Sequence, residues 1–404
     1  MDRYNIYDYS REALEELLIS LGEKKFRATQ IYEALYKEGK KSFDEITTLS
    51  KASKEFLKTK FDFSDLEIKE IKVSSDETTK FLFSLSDKNL IETVLMPHDY
   101  GYSVCVTTQV GCNMGCKFCA SGELKKIRNL KAHEIVLQVL KVNEYLKEKG
   151  ARVSHVVVMG IGEPFDNFEN VMEFLKIIND NKGLEIGSRH ITLSTCGLVE
   201  RIKEFSDFPL QVNLAISLHF ATDEKRSKYM PINRKYNLSE LFDSINYYYL
   251  KTNRRVTFEY ILLDGINDTI SDAKDLVKLV RSVNCYLNLI PYNETNGIFR
   301  RSSELARDQF FDYLMKNKIN AVVRREYGHD IDAACGQLRA KAIKKVEWTW
   351  KNKTDWLSKQ SVVSTLFYKI IKNIYANHVA FFAIKGWLLR LVIMLNLMIQ
   401  QSLK

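Results

Sequence analysis

Uninterrupted apolar runs, paired cysteines, proline and tryptophan are all scarce in this sequence. The most apolar stretch, His378 to Ile399, is broken by Lys385 and Arg390. It makes a poor membrane span and suits an amphipathic helix against the protein body or a membrane surface, so no stable membrane insertion is expected. The start, Met1-Asp2-Arg3-Tyr4, is polar and carries no apolar signal-peptide region. Seven cysteines without a paired framework argue against a disulfide-built secreted scaffold and for a reducing compartment. A cytoplasmic protein is expected. Only five prolines occur, none after Pro291, and all four tryptophans (Trp348, Trp350, Trp356, Trp387) fall near the end. The character of the sequence changes after about Val346, and 347–404 reads as an atypical helical tail with no catalytic role. Neither charge sign dominates: a formal +9 over 404 residues favours an anionic partner only weakly. What is there, 45% hydrophobic and 27% charged, is an ordinary globular composition, long enough to bury a full core in two or three units.

Periodicity divides the chain further. Residues 1–65 read as a small helical unit. Leu14, Leu17, Leu18 and Leu21 mark one face of a helix over 11–21 that stops at Gly22, and Ile31 and Leu35 repeat the pattern over 26–35 until Gly39. Ser42 heads a third helical stretch over 43–56. Lys24, Lys25, Arg27, Lys37, Lys40 and Lys41 make this unit basic. A charge run alone is accounted for by a solvated surface; ahead of a catalytic domain, a detached basic helical unit suits a grip on a large anionic substrate. Over 66–101 the period drops towards two, with runs at 79–85 and 91–95 turning at Asp87-Lys88-Asn89, a β-hairpin linker. From 102 to 346, strands at 102–107, 154–159, 190–194, 214–217, 256–262 and 285–291 alternate with helices at 132–146, 168–178, 238–250 and 273–283. This alternation predicts an α/β fold with a parallel sheet, an open or partial (β/α)6 barrel with its chemistry on loops at the carboxyl ends of the strands.

The loop after the first of these strands holds Gly111-Cys112-Asn113-Met114-Gly115-Cys116-Lys117-Phe118-Cys119, three thiols spaced Cys-x3-Cys-x2-Cys. Thiolates this close repel one another and need a soft metal. A zinc site would need a fourth ligand, from Cys105 or His133. A four-iron, four-sulfur cluster needs only three, leaving one iron open to a small molecule. The spacing resembles that of the radical S-adenosylmethionine enzymes.

Other strand ends carry polar residues. Gly160-Ile161-Gly162-Glu163-Pro164 follows the second strand; the glycines let a ligand approach the backbone and Glu163 can accept from an ammonium, although a glycine pair alone is usually a turn. Ser194-Thr195, Ser217-Leu218-His219 and Pro291-Tyr292-Asn293 could each be an ordinary strand end, and His219 a satisfied core histidine; together on one rim they suit a nucleoside. Cys105, on the first strand, and Cys335, beside Gly336, are either buried small hydrophobes or reactive thiols.

Phe26-Arg27-Ala28-Thr29-Gln30-Ile31, Ile91-Glu92-Thr93-Val94-Leu95-Met96-Pro97, the thiol loop, Met159 to Pro164, Leu214 to His219, Met230 to Tyr236 and Asp330 to Leu338 together resemble the dual-specificity adenine-C2 RNA methyltransferases, a radical S-adenosylmethionine family. The likeness covers roughly 10 to 345 and stops before the tail. It implies one 4Fe-4S cluster per chain on Cys112, Cys116 and Cys119, and S-adenosylmethionine, two per turnover, lined by Gly162, Glu163, Ser194, Ser217, Leu218, His219 and Asn293. It implies that Cys335 carries the methyl group, that Glu92 accepts the proton, and that Cys105 resolves the intermediate as a Cys105–Cys335 disulfide. The implied substrates are 23S ribosomal RNA and transfer RNA, gripped through the N-terminal unit and the 124–131 loop, with a low-potential electron donor such as flavodoxin or ferredoxin. The sister enzyme that methylates C8 of the same ribosomal adenine, and a non-catalytic iron–sulfur RNA-binding protein, are the competing readings.

Overall fold

The computed structural model describes residues 3–123, 125–294, 297–328 and 330–331. The chain divides into two compact units, 1–85 with 90–339 and 86–89 with 340–404, and nearly all described residues belong to the first. Cys335 and the 347–404 tail lie outside the described residues. Among the described residues, no helix is long and apolar enough to cross a membrane.

The N-terminal helices form where the apolar spacing and caps put them. Helix α1 (Arg11–Ser20) starts behind Ser10, whose hydroxyl accepts the Ala13 N–H, and buries Leu14 and Leu18. Helix α2 (Arg27–Tyr36) buries Ile31, Tyr32, Leu35 and Tyr36. The third helix is not where the sequence placed it. Phe43–Glu45 makes one 3-10 turn, and α3 (Lys51–Lys60) begins only after Ser50, whose hydroxyl caps Ser53 N–H at 3.2 Å. Thr47 and Thr48 are β-branched and Ser50 caps more readily than it continues a helix, so the chain breaks there. Nor is the unit detached. Tyr7, Tyr32 and Leu35 share one apolar core with α4 (Ala132–Lys147) and α5 (Phe168–Asn179). Ser10 N–H donates to the Glu173 carboxylate (2.6 Å), Arg11 pairs with Asp180 (2.9 Å), and Asp8 accepts the His133 N–H (2.9 Å).

The main sheet has ten strands in sequence order: β1 (Glu67–Val73), β2 (Thr79–Ser84), β3 (Leu90–His98), β4 (Gly101–Cys105), β5 (Val153–Val158), β6 (Ile191–Thr195), β7 (Asn213–Ser217), β8 (Val256–Leu262), β9 (Cys285–Pro291) and β10 (Ala321–Val323). From β4 onward neighbours are parallel, linked by α4, α5, α6 (Val199–Phe205), α7 (Asp223–Tyr229) with α8 (Leu238–Thr252), α9 (Ile270–Val280) and α10 (Glu304–Lys316). This is the expected strand–helix alternation, with a seventh parallel strand, β10, too short to show a period. The hairpin expected in 66–101 is β2–β3; with β1 it is built into the sheet, antiparallel, through the register Val94↔Cys105 and His98↔Gly101.

Alternate residues on a strand face opposite sides. Val104, Val156, Val158, Leu193, Leu214, Ile216, Phe258, Tyr260, Leu287 and Leu289 face the helices and build the core. Ser103, Cys105, Val157, Ser194, Ser217, Glu259 and Asn288 therefore face the other side, the interior of the barrel. The sheet is rolled far enough for the chain leaving β10 to reach its far edge. Arg324 N–H donates to Leu289 O (2.8 Å), and Tyr327 packs on Val94, Met96 and Cys105. Gly328 N–H donates to Asp76 (3.0 Å), while Asp330 accepts from the Ser74 hydroxyl and from Ser75 N–H (3.1 Å), in the turn between β1 and β2. Residues 324–328 and 330 thus form a strap across the opening.

Candidate active site

Past β4 the chain makes a closed excursion on a short ribbon stem, Gln109–Val110 paired with Arg128–Asn129. The excursion carries the three thiols. Gly115, at φ +67, turns the chain between Cys112 and Cys116, and Cys119 N–H donates to Cys116 O at 3.2 Å. Met114, Cys116 and Cys119 line an apolar pocket of Phe118, Cys196, Phe220, Met230, Tyr292 and Phe299. Burial pushes the Cys112 thiol up to about 12, and Cys119 adds to it; burial likewise raises Cys116, with Cys119 and Cys112 adding and Arg226 opposing. Thiols whose protons are held this firmly, as at Cys112 and Cys116, favour the thiolate form once a cation joins them.

Among the described residues, no three His, Cys, Asp or Glu side chains converge on a single ion. The two candidates for a fourth zinc ligand are also committed elsewhere: Cys105 packs with Val94, Met96 and Tyr327, and His133 faces Asp8 at 2.8 Å. A cluster that spreads three thiolates over three irons does not need them to converge. Three thiols on one loop fit the three protein ligands of a 4Fe-4S cluster.

The next loop lies beside the thiol stem. Gly160 N–H donates to Val106 O (3.0 Å), and Thr108 and Gln109 N–H both reach Ile161 O. Gly162 sits at φ +111, where a Cβ would come within 2.6 Å of Gln109 Cβ, so only glycine fits. Glu163 is buried with Oε2 accepting Cys196 N–H (2.8 Å) and Oε1 accepting Phe165 N–H (3.0 Å). Burial raises its carboxyl, and those amides pull it back down.

Ser194 and Ser217 stand 3.4 Å apart on the inner wall. The Leu218 side chain is fully buried in the core, so that residue can offer only its backbone. His219, at φ +58, accepts Ile261 N–H at Nδ1 (3.1 Å), which leaves its proton on Nε2. Burial, with Arg226 adding, pushes this imidazole down to about 3. Asn293 is exposed just past β9. The expected S-adenosylmethionine residues thus collect at the carboxyl ends of β5, β6, β7 and β9, on the rim that carries the thiol loop.

Glu92 and Cys105 share the inner face of β3 and β4, because Val94 pairs with Cys105 and Glu92 lies two residues along. Glu92 meets Lys80 Nζ at 2.8 Å, and both are almost wholly buried. The strand end is tied down by Gln138 of α4. Its Oε1 accepts Thr93 Oγ1 and Thr107 N–H (both 2.8 Å), and its Nε2 donates to Thr107 O (2.9 Å) and Glu134 O (3.1 Å). Thr107 Oγ1 in turn donates to Glu92 O at 2.6 Å.

Other expectations fare differently. Cys335 lies outside the described residues, as does one partner of the expected disulfide; no two described cysteines are joined. Of the basic residues, Lys24 and Lys25 are exposed, but Arg27 bonds Gln30 and Thr48 O. In the 124–131 loop, Lys126 pairs with Asp166 (2.7 Å) and Arg128 with Glu134, leaving Lys125 and Lys131 exposed. Sequence reasoning missed Lys80, Gln138, Arg226 and Glu259. Arg226 is 1% exposed and bonds Cys196 O, Leu218 O and Asn233 behind the thiol pocket. Nothing in the local pattern separates such residues from surface ones.

Two family models match: the radical SAM superfamily over 106–280 and the ribosomal RNA large subunit methyltransferase N-terminal domain over 4–62. A probable dual-specificity RNA methyltransferase RlmN of Spiroplasma citri is 55% identical over 339 residues, 83% of this chain and 97% of that one. One of the same description from Enterococcus faecalis is 54% identical over 351 residues, 85% and 98%. A crystal structure of a radical SAM methyltransferase from Sphaerobacter thermophilus superposes with a TM-score of 0.78 at 40% identity, covering 83% of this chain and 98% of that one. Rim, thiol loop and N-terminal unit thus agree with the sequence matches, and the chain belongs to the RlmN family of dual-specificity RNA methyltransferases, within the radical SAM superfamily.

Proposed function

We propose that this chain methylates C2 of a specific adenine in 23S ribosomal RNA, and of the adenine next to the anticodon in transfer RNA, through a methyl group carried on Cys335. The observation that supports it most is the β3–β4 pairing, which brings Glu92 and Cys105 to one inner face at the stem of the thiol loop. Cys112, Cys116 and Cys119 would hold one 4Fe-4S cluster, and Gly162, Glu163, Ser194, Ser217, the Leu218 backbone, His219 and Asn293 would hold S-adenosylmethionine. When bound, these groups supply an electron, drawn from a low-potential protein such as flavodoxin or ferredoxin, and a 5′-deoxyadenosyl radical, two S-adenosylmethionine molecules being used per turnover.

The chain's own side chains do the rest. An aromatic C–H is not acidic enough for polar methyl transfer, so the methyl group on Cys335 gives up a hydrogen atom and the carbon radical left there adds to the ring, which gives up one electron as its proton leaves. Glu92, beside the Lys80 ammonium, takes the proton from the ring carbon. Cys105 attacks the Cys335 sulfur; the sulfur–carbon bond breaks with its electron pair passing to the bridging carbon, which takes up a proton to become the methyl group, and a Cys105–Cys335 disulfide is left. Lys24 and Lys25 offer exposed charge to RNA phosphates, and this grip weakens as salt rises. A reducing compartment, the cytoplasm, suits the thiols.

The two thiols should fail differently. Cys335→Ala should keep iron and transfer nothing to RNA. Cys105→Ala should accumulate protein joined covalently to RNA through Cys335, visible on denaturing gels and mapped after nuclease digestion. Normal turnover by Cys105→Ala without adduct removes its resolving role. Mass analysis of the modified adenosine separates C2 from C8, and no methylation in the presence of S-adenosylmethionine and reductant leaves a binding protein.

A further inference from the structure

Glu259 has no part in the reading above. It stands on the inner face of β8, 3% exposed, in register with Ser217 of β7 and Asn288 of β9. Asn288 Nδ2 donates to its Oε1 at 2.9 Å. Its Oε2 is buried and meets no hydrogen-bond partner among the described residues. Arg324 acts on this carboxylate only through space. Along the same strand face, Ile261 packs against the apolar cluster that Cys116 and Cys119 also meet, and Glu259 lies two residues, roughly 7 Å, back along the strand. Ser194, Ser217, Glu259 and Asn288 thus form one polar band across four adjacent strands.

A buried carboxylate oxygen without a donor lowers stability, and replacing the whole group by an apolar one of similar size relieves that cost. A fold that keeps such an oxygen inside its ligand cavity has it aimed at something that arrives. We propose that Glu259 is a ligand-receiving residue whose Oε2 accepts hydrogen bonds from the ribose hydroxyls of a bound nucleoside. Burial raises this carboxyl, and Arg324 and the Asn288 amide pull it back only in part, so a neutral donor suits the site better than a second cation. The flanking hydroxyls and amide are the neutral partners a sugar uses. The ribose could belong to S-adenosylmethionine or to a nucleotide of the RNA. The inference rests on the reading that this barrel holds S-adenosylmethionine.

The test uses cluster-loaded full-length protein under anaerobic conditions, wild type against Glu259→Met and Glu259→Gln. Dissociation constants are measured by equilibrium dialysis for S-adenosylmethionine and for its 2′-deoxy and 3′-deoxy analogues, and by filter binding for an RNA hairpin. Unliganded protein is melted in parallel. A charge-assisted hydrogen bond lost on the ligand side predicts roughly tenfold or greater weakening in Glu259→Met. In the S-adenosylmethionine arm alone, that weakening assigns the cofactor's ribose; in the RNA arm alone, it assigns the substrate's. The matching deoxy compound should bind wild type weakly and lose nothing further in Glu259→Met. Unliganded Glu259→Met should melt no lower than wild type. If that variant does not fold, Glu259→Gln, which keeps the Asn288 bond, carries the binding comparison with a smaller expected loss. Wild-type affinity for both ligands in the variant, or a lower melting point with unchanged affinity, overturns the proposal alone. Wild-type protein that binds no S-adenosylmethionine overturns the underlying reading as well.

Discussion

Gln138 offers the sharpest check on how the site is held. It is fully buried on α4, and all four hydrogen-bonding positions of its amide are filled, two of them by the backbone of Thr107. Gln138→Met keeps length, flexibility and helix propensity, so α4 itself should survive. It leaves Thr107 N–H and C=O without their partner in a fully buried place, and takes the acceptor from the Thr93 hydroxyl. A buried group left unsatisfied costs roughly 1–3 kcal/mol, so two backbone groups and a hydroxyl that can turn elsewhere sum to about 3–5 kcal/mol. Urea unfolding followed by circular dichroism should show that loss as a lower midpoint with an unchanged slope. Because Thr107 also donates to Glu92 O, the strand bearing Glu92 should loosen, and RNA methylation should fall while iron content holds. A destabilisation under about 1 kcal/mol would refute the reasoning, since it would mean that the backbone groups find other partners.

Three further outcomes are expected. Alanine at Cys112, Cys116 or Cys119 should remove most of the iron measured after anaerobic reconstitution; stoichiometric zinc in the wild type would defeat the assignment. Gly162→Ala forces a side chain onto φ +111 against Gln109, at roughly 1–3 kcal/mol, and should weaken S-adenosylmethionine binding in dialysis while RNA binding stays. His219 is held neutral, with its imidazole pushed down to about 3 by burial, so the unfolded chain takes up the extra proton. Its contribution is complete above pH 6.5 and is lost as pH falls, by about 1.4 kcal/mol per unit between 6.5 and 3. His219→Asn, which tolerates φ +58, should remove that slope; an equal slope in both proteins would show that other groups carry it.

The parallel strands were legible because each is a short apolar run between helical patterns, and six appear within a residue or two of where the sequence placed them. The third helix was not, because Ser50 reads equally well as a helix interior or a cap until the chain around it is folded. The exposed strand β1 carries charges on both faces and no clear alternation. The thiols and the strand-end residues were legible as types at fixed spacings. Their supports were not: Lys80, Gln138, Arg226 and Glu259 are polar residues whose burial depends on strands and helices distant in sequence.

The strap has a consequence in time. Gly328 closes on Asp76, 252 residues earlier, and Asp330 on Ser74, 256 residues earlier. At about 5–20 residues per second of synthesis, the turn between β1 and β2 waits roughly 10–50 s for its partner. For most of that interval, from the synthesis of Cys119 onward, the thiol loop, Glu92 and Cys105 exist in a half-made barrel whose side is open. An iron–sulfur donor protein approaching from that side has this interval in which to reach the thiols, and the emergence of the strap ends it.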